Sequence, residues 1–260
     1  MLRWQMKKQI KNMSYNPYSL EGKTILVTGA SSGIGRSTAV ECSKLGAKLV
    51  ITARNVERLQ ETFDLLEGDG HIQIVGDLTN EEDVDRIISE TPKLDGLVNN
   101  AGISVVKPVA FVNHEDLNKV FNTNTFAPIV FTRLLLKKKK ISPKASIVFT
   151  SSIAAMHSSL GNSMYGASKA AITAFMHYCA RELAGKQIRA NAVHPGMINT
   201  KLISGGAISS EQHQLDMQKY PLKRYGEPEE VAWAIIYLLS DASAWVTGTS
   251  LIIDGGILLT

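Results

Sequence analysis

Tyr165 and Lys169 stand four residues apart in the stretch Ser163-Met-Tyr-Gly-Ala-Ser-Lys-Ala170. Read as a helix start, this spacing sets a phenol and an ammonium one turn apart on one face. A phenol ordinarily titrates near pH ~10, too high to exchange protons usefully at neutral pH. A fixed positive charge beside it favours the phenolate, so Lys169 is expected to lower the Tyr165 pKa toward a working range. The pair would then serve as an acid/base unit for an oxygen atom. Tyr and Lys at this spacing also occur on solvated helix faces, so the surrounding elements must decide.

Those elements alternate. Strand-like runs rich in β-branched residues fall at Thr24–Thr28, Lys48–Thr52, Ile72–Val75, Gly96–Asn99, Ser146–Thr150, Ile188–Val193 and Ser250–Ile253. Helix-like stretches lie near Gly35–Leu45, Val56–Glu67, Glu81–Glu90, His114–Leu136, Met164–Leu183 and Glu229–Leu239. Near-continuous apolar strands separated by helices predict an α/β fold, a single-domain doubly wound parallel sheet with helices on both faces. Such sheets bind ligands at the carboxyl ends of their strands. Asn199–Tyr220 breaks the alternation; it is polar and reads either as a lid or as a surface excursion.

The first strand runs into Thr28-Gly-Ala-Ser-Ser-Gly-Ile-Gly35. Gly29 suits a tight turn, and Gly33 and Gly35 remove side chains where backbone must approach a pyrophosphate at a helix N-terminus. The spacing is Gly-x-x-x-Gly-x-Gly, without the Gly-Lys-Ser/Thr ending of a P-loop, which argues against ATP and GTP. The second strand ends Ile51-Thr-Ala-Arg54. An acid there would select the ribose 2′-hydroxyl of NAD, whereas a basic residue accommodates the 2′-phosphate of NADP. With Arg54 present and no acid before Glu57, NADP(H) is the expected cofactor.

Bulk properties agree with a globular enzyme. The chain has 260 residues, 44% hydrophobic and 20% charged, enough for one large domain. No apolar run approaches the roughly 20 residues needed to span a bilayer, so no membrane partner is expected. Arg3, Lys7, Lys8 and Lys11 account for the whole net charge of +4. The body of the chain is therefore neutral, and nucleic acid is not an expected partner. Residues 1–20 read as a flexible basic extension, with Met13 an alternative initiator, and residues 21–260 as the catalytic domain. Cys42 and Cys179 lie in apolar helical surroundings, pointing to reduced, buried thiols and a cytoplasmic location. His157 and His194 are isolated from other ligand types, so no metal is expected.

Together these residues resemble the short-chain dehydrogenase/reductase family in its short form. The resemblance runs from about Glu21 to Gly256 and rests on motifs in order: Thr28–Gly35, Asp77-Leu78, Asn99-Asn-Ala-Gly102, Asn124, Ser152, Tyr165 with Lys169, and Pro195-Gly196 with Thr200. It is most like 3-oxoacyl-(acyl-carrier-protein) reductases and related carbonyl reductases. One departure stands out. Ser32 replaces the basic residue often found before the second glycine, which leaves Arg54, with help from Arg36, to read the phosphate.

The resemblance implies a role at each matching position. Gly29, Ser31, Ser32, Gly33, Ile34 and Gly35 would hold the dinucleotide's phosphates, and Asp77 and Leu78 its adenine. Asn100, Ala101 and Gly102 would line it, while Pro195, the Ile198 backbone and Thr200 would hold its carboxamide. Ser152 would bind the substrate oxygen and Tyr165 would donate a proton to it. Lys169 would bind the ribose as well, and Asn124 would hold a water that passes protons to Lys169. Ala154, His157, Asn162, Met197 and residues 199–220 would face the substrate. Lys137–Lys140, Lys144 and Lys186 read either as a patch for an acyl carrier protein or as solvated helix ends. The substrate classes left open are an acyl-thioester ketone and a sugar, steroid or small carbonyl compound, with a non-catalytic NADP-binding regulator as the other reading. A homotetramer built on the long central helices is also implied.

Overall fold

The computed structural model describes residues 15–200 and 210–260. Arg3, Lys7, Lys8, Lys11 and Met13, and positions 201–209 of the 199–220 segment, lie outside the described residues. Of the 1–20 extension, the last residues pack on the domain. Leu20 is fully buried, and the Pro17 carbonyl accepts from Ala242 N–H at 3.0 Å.

Seven strands, β1 Thr24–Thr28, β2 Lys48–Ala53, β3 Ile72–Val75, β4 Leu94–Asn99, β5 Ile141–Thr150, β6 Arg189–Pro195 and β7 Ser250–Ile253, form one sheet. Its order is β3-β2-β1-β4-β5-β6-β7, and every pairing is parallel. The chain therefore winds outward one way from β1 to β3, then the other way from β4. That reversal opens a crevice beyond the carboxyl ends of β1 and β4.

Period-two alternation sends successive strand residues to opposite faces. Leu26, Ile147 and Phe149 join one apolar cluster with Ile87, Phe131, Leu135, Ile172 and Met176. Ile25, Val27 and Val148 join the other with Ala39, Cys42, Leu59, Val231 and Ile235. The first face thus carries helices α3 Glu81–Glu90, α5 Ala127–Lys137 and α6 Ser163–Leu183. The second carries α1 Gly33–Lys44, α2 Val56–Phe63 and α8 Pro228–Leu239. Helix α4, His114–Phe121, precedes α5, and α7, Ser210–Met217, lies in the 199–220 segment.

One expected helix is divided. His114–Leu136 reads as continuous in sequence, but a π-helical turn, Asn122–Phe126, separates α4 from α5. The extra residue in the turn brings Asn124 and Thr125 round to α6, where both bond Ser168. The sheet also starts earlier than read at β4 and β5, and the two cysteines are buried free thiols. Among the described residues no helix is long and apolar enough to cross a membrane.

Phe149 anchors the layer beneath α6. It is fully buried and meets Phe175 edge-on, with ring centroids 5.9 Å apart. Phe149→Ala should lower the unfolding free energy by about 3–5 kcal/mol, the usual cost of emptying a buried aromatic site. Urea denaturation reads this directly, and a midpoint unchanged from wild type would remove Phe149 from the stability core.

Candidate active site

Helix starts distinguish the crevice from the rest of the surface. Asn55, Asn80 and Asn113 cap α2, α3 and α4 through their side chains, and acids occupy the first turns. Helix α1 has no side-chain cap at Ser32 and no acid in its first turn. Its N–H groups are left for an anion. The turn before it admits no side chain at Gly35, where a Cβ would stand 2.3 Å from the Gly29 carbonyl and 2.5 Å from Asn100 Nδ2.

A cavity of about 320 Å³ extends from this turn along the strand ends. Gly29, Ser31, Ser32, Gly33 and Ile34 line one end, Arg54, Asp77 and Leu78 the adjoining wall, and Asn100, Ala101 and Gly102 the floor. Tyr165 and Lys169 line the far end, and Thr200 lies against Gly33. Gly35 lies beneath the turn, and Pro195 and Ile198 stand outside the lining. Ile198 pairs with Gly226 as an isolated bridge, and the bonds run from its neighbours Met197 and Asn199. Its own peptide groups therefore turn away from Gly226. Thr52 and Thr150 are among the lining residues, and the buried hydroxyl of each has no partner among the described residues. An uncapped helix start, a turn closed to side chains and unpaired hydroxyls together fit a dinucleotide.

The floor is fixed by Thr28. Its hydroxyl accepts from Asn100 N–H at 2.9 Å and Ala101 N–H at 3.1 Å, and donates to the Val98 carbonyl at 3.3 Å. The Asn100 amide reaches back to the Thr28 carbonyl at 3.1 Å.

Along the Arg54 wall the charges are not as sequence order suggests. The acid absent near Arg54 comes from another strand: Asp77 lies 3.5 Å from the guanidinium. Burial pushes the Asp77 carboxyl upward, but bonds from Thr79 and the charge of Arg54 outweigh it and hold the group below its usual range. Arg36 stands outside the lining, and its Nε and one terminal nitrogen bond Thr62, the Ser31 and Arg58 carbonyls and Glu61. Arg58, in the first turn of α2, lines the crevice as well.

Tyr165 and Lys169 share a face of α6 as expected. The Lys169 amine is 5.7 Å from the centre of the tyrosine ring and donates to the Thr150 carbonyl at 2.7 Å. Lys169 is 4% exposed, and burial brings its pKa down to about 8. The expectation for the phenol is corrected. Burial pushes Tyr165 above its ordinary value, opposed by a hydrogen bond with the Ser152 side chain, and Lys169 does not lower it. The lysine is aimed at a backbone oxygen rather than at the phenol. A phenol so placed stays protonated at neutral pH and is ready to act as an acid.

Ser152 caps the short turn Ile153–Ala155, its hydroxyl accepting from Ala154 N–H at 3.1 Å. Gly166 lets α6 pack against this turn, since a Cβ there would lie 2.6 Å from the Ala154 carbonyl. Asn124 is 2% exposed. Its side chain bonds both peptide groups of Ile103, at 2.8 and 2.9 Å, and Ser168 Oγ at 3.0 Å. Both amide hydrogens are thereby used, and only carbonyl capacity remains for another donor. A Cβ on Gly102 would be 3.3 Å from both Asn124 Oδ1 and Lys169 Nζ, so the two groups flank one point. Of the residues expected to face the substrate, His157 is exposed and Ala154, Asn162 and Met197 are partly buried.

The lysine patch falls elsewhere. Lys137 ends α5, Lys144 lies early in β5, and Lys186 precedes β6. All sit at the amino ends of these strands, and ten residues of β5 span about 30 Å. Lys140 donates to the carbonyls of Ser89 and Thr91 at the end of α3.

A family model described as enoyl-(acyl carrier protein) reductase matches residues 29–258. The chain belongs to the short-chain dehydrogenase/reductase family. It is an NAD(P)-dependent oxidoreductase acting between carbonyl and hydroxyl groups. The chain is 36% identical to the 3-oxoacyl-(acyl-carrier-protein) reductase FabG of Rickettsia felis over 92% of its length and 98% of that protein. It is 34% identical to an L-xylulose reductase of Caenorhabditis elegans, covering 92% and 97%. A short-chain type dehydrogenase/reductase from Mycobacterium marinum superposes with a TM-score of 0.85 at 31% identity, covering 94% of this chain and 98% of that one.

The buried lysine carries a measurable linkage. Its folded pKa of about 8 lies below the unfolded value of 10.5. Between these values the unfolded chain holds a proton that the folded chain has lost, so this residue makes stability rise with pH across that window. Unfolding free energies of wild type minus those of Lys169→Met should climb from pH 8 to 10.5. A flat difference would show that the ammonium is not desolvated.

Proposed function

We propose that this protein reduces a ketone to a secondary alcohol with NADPH, Tyr165 acting as the proton donor. The observation that carries the reading is the Tyr165 phenol held against the Ser152 side chain at the edge of the crevice. When bound, the nicotinamide supplies the hydride. The chain's residues do the rest. Ser152 and Tyr165 present two hydroxyls to one carbonyl oxygen, polarising it and stabilising charge as it develops. The Tyr165 phenol gives up its proton to that oxygen. Lys169, with a pKa of about 8, keeps a positive charge near neutral pH at the Tyr165 end of the crevice, where it can donate to the bound dinucleotide. Asn124 holds the Ile103 backbone to α6 and so fixes the wall beside Lys169.

Preference for NADP(H) rests on Arg54 and Arg58. Arg54 is 63% exposed and meets Asp77 through only one of its nitrogens at 3.5 Å, leaving other donors for a phosphate. Arg58 adds a second positive charge to the same wall. The substrate we infer is a 3-oxoacyl thioester, as the name of the Rickettsia relative suggests. A sugar ketone is the second reading, favoured by the L-xylulose reductase relative. Docking of a carrier protein over the crevice of the same subunit gains no support from Lys137–Lys140, which stand at the opposite end of the sheet. A homo-oligomeric assembly is supported by exposed apolar side chains on the α5 and α6 side, Phe126, Val130 and Tyr178.

Two experiments test these readings. With acetoacetyl thioester and L-xylulose compared as substrates, Tyr165→Phe should lower turnover about 10²–10⁴-fold while NADPH affinity is kept. Turnover near wild type would remove Tyr165 from the reaction, and L-xylulose as the better substrate would favour the second reading. The kcat/KM ratio of NADPH to NADH should exceed one and fall about tenfold or more in Arg54→Gln, the usual loss for a charge-assisted bond. A ratio unmoved by the substitution would reject the phosphate assignment.

A further inference from the structure

His194 is fully buried and lies outside the crevice lining. It occupies the carboxyl end of β6, in register with Ile252 of β7. Strand alternation puts its side chain on the face of Ala190 and Ala192, which is covered by α6. There its Nδ1 lies 3.0 Å from the carbonyl oxygen of Ser152. A carbonyl only accepts, so Nδ1 carries the hydrogen. The titratable groups that act on the ring are Lys169 and His177, both from α6, and burial beside them disfavours the imidazolium. The ring is neutral, and its Nε2 is a bare acceptor with no partner among the described residues.

A buried acceptor without a donor is unfavourable, and an apolar side chain would avoid it. The other nitrogen supplies the compensation. The parallel ladder between β5 and β6 makes its last bond from Ser151 N–H to the Val193 carbonyl at 2.9 Å. Pro195 has no N–H to give the Ser151 carbonyl, so the ladder goes no further. Chain β5 leaves the sheet at that point, with Ser152 turning into the Ile153–Ala155 cap. The imidazole of His194 ties β6 to β5 one residue further on, by donating to the Ser152 carbonyl.

We propose that His194 is a positioning residue for Ser152, its Nδ1–H fixing the Ser152 peptide so that the hydroxyl stays turned toward Tyr165. This rests on the reading of Ser152 as the group that binds the reacting oxygen. The Ser152 carbonyl anchors one end of the residue, and its hydroxyl, bonded by Ala154 N–H, anchors the other. His194 passes no proton itself, because its N–H is spent on an amide carbonyl and it has no access to the crevice.

The test compares His194→Leu, which keeps bulk without a donor, and His194→Asn, whose amide N–H can stand near the Nδ1 position. Leucine should lower kcat about 10–100-fold, the cost of misplacing a reacting group, and asparagine should restore most of it. NADPH affinity should stay within about twofold in both, since binding that does not change in the transition state is untouched. Equal kcat values in the two variants, or wild-type kcat in leucine, would overturn the proposal. Ser152→Ala separates the two claims. If it retains wild-type turnover, the role of Ser152 fails; if it is inactive while His194→Leu is not, only the His194 role fails. Nitrogen-15 NMR of histidine-labelled wild type, assigned against the asparagine variant, needs no damaged protein. A neutral Nδ1–H tautomer for His194 at pH 7 is expected, and an Nε2–H tautomer or an imidazolium would overturn the inference.

Discussion

A lysine ammonium taken out of water at the end of the central sheet sets the terms for everything around it. Lys169 is 4% exposed, and its hydrogen bond to the Thr150 carbonyl answers only part of the solvation it has given up. Its backbone is held correspondingly tightly. The Lys169 carbonyl lies 3.0 Å from Ser151 Oγ and 2.8 Å from Thr173 Oγ1, and these two hydroxyls, 2.8 Å apart, share their two hydrogens among the three contacts. Strand β5 and helix α6 are therefore joined at one residue by both its side chain and its peptide. A misplaced helix would leave the charge buried with nothing to meet it.

This constraint explains features that look unrelated in sequence. The π turn at Asn122–Phe126 costs regular helical bonding, yet it delivers Asn124 and Thr125 to Ser168, next to Lys169. Gly166 exists to let α6 approach the turn that presents Ser152. Phe149 and Phe175 fill the space between β5 and α6 directly below the buried charge. The glycine turn at the far end of the crevice is built differently. It relies on missing side chains and one threonine hydroxyl, because there the backbone itself must face the ligand.

What could be read from the sequence follows from what is local. Strand order along the chain, the glycine turn and the Tyr165–Lys169 spacing depend on residues a few positions apart, so pattern alone reveals them. The misses arise from contacts between elements distant in sequence. Arg36 looks free until Glu61 and Thr62 are found against it, and Arg54 looks unopposed until β3 brings Asp77 alongside. The direction of the Tyr165 shift was misread for a related reason. Helical spacing says that an ammonium is near; it does not say that the ammonium points to Thr150 or how much water remains around the phenol. The lysine patch was similarly a matter of which end of a strand a residue occupies, which composition does not record.

The same distinction separates reaction from substrate. Each group assigned to the chemistry is tied by a strand end or a buried bond, so its place is dictated by the fold and its identity by the reaction. The walls beyond Ser152 are loops. Residues 103–113 and 153–162 meet through Lys107 N–H and the Gly161 carbonyl at 2.9 Å, and Lys107 pairs with Asp116 beside them. Val106, Met156 and Leu160 stand on these loops, more than half exposed and owing little to the core. Side chains so placed can change size and polarity without disturbing Lys169 or the sheet. Proteins about a third identical to this chain can accordingly keep one reaction while bearing names that refer to an acyl thioester in one case and a sugar in another.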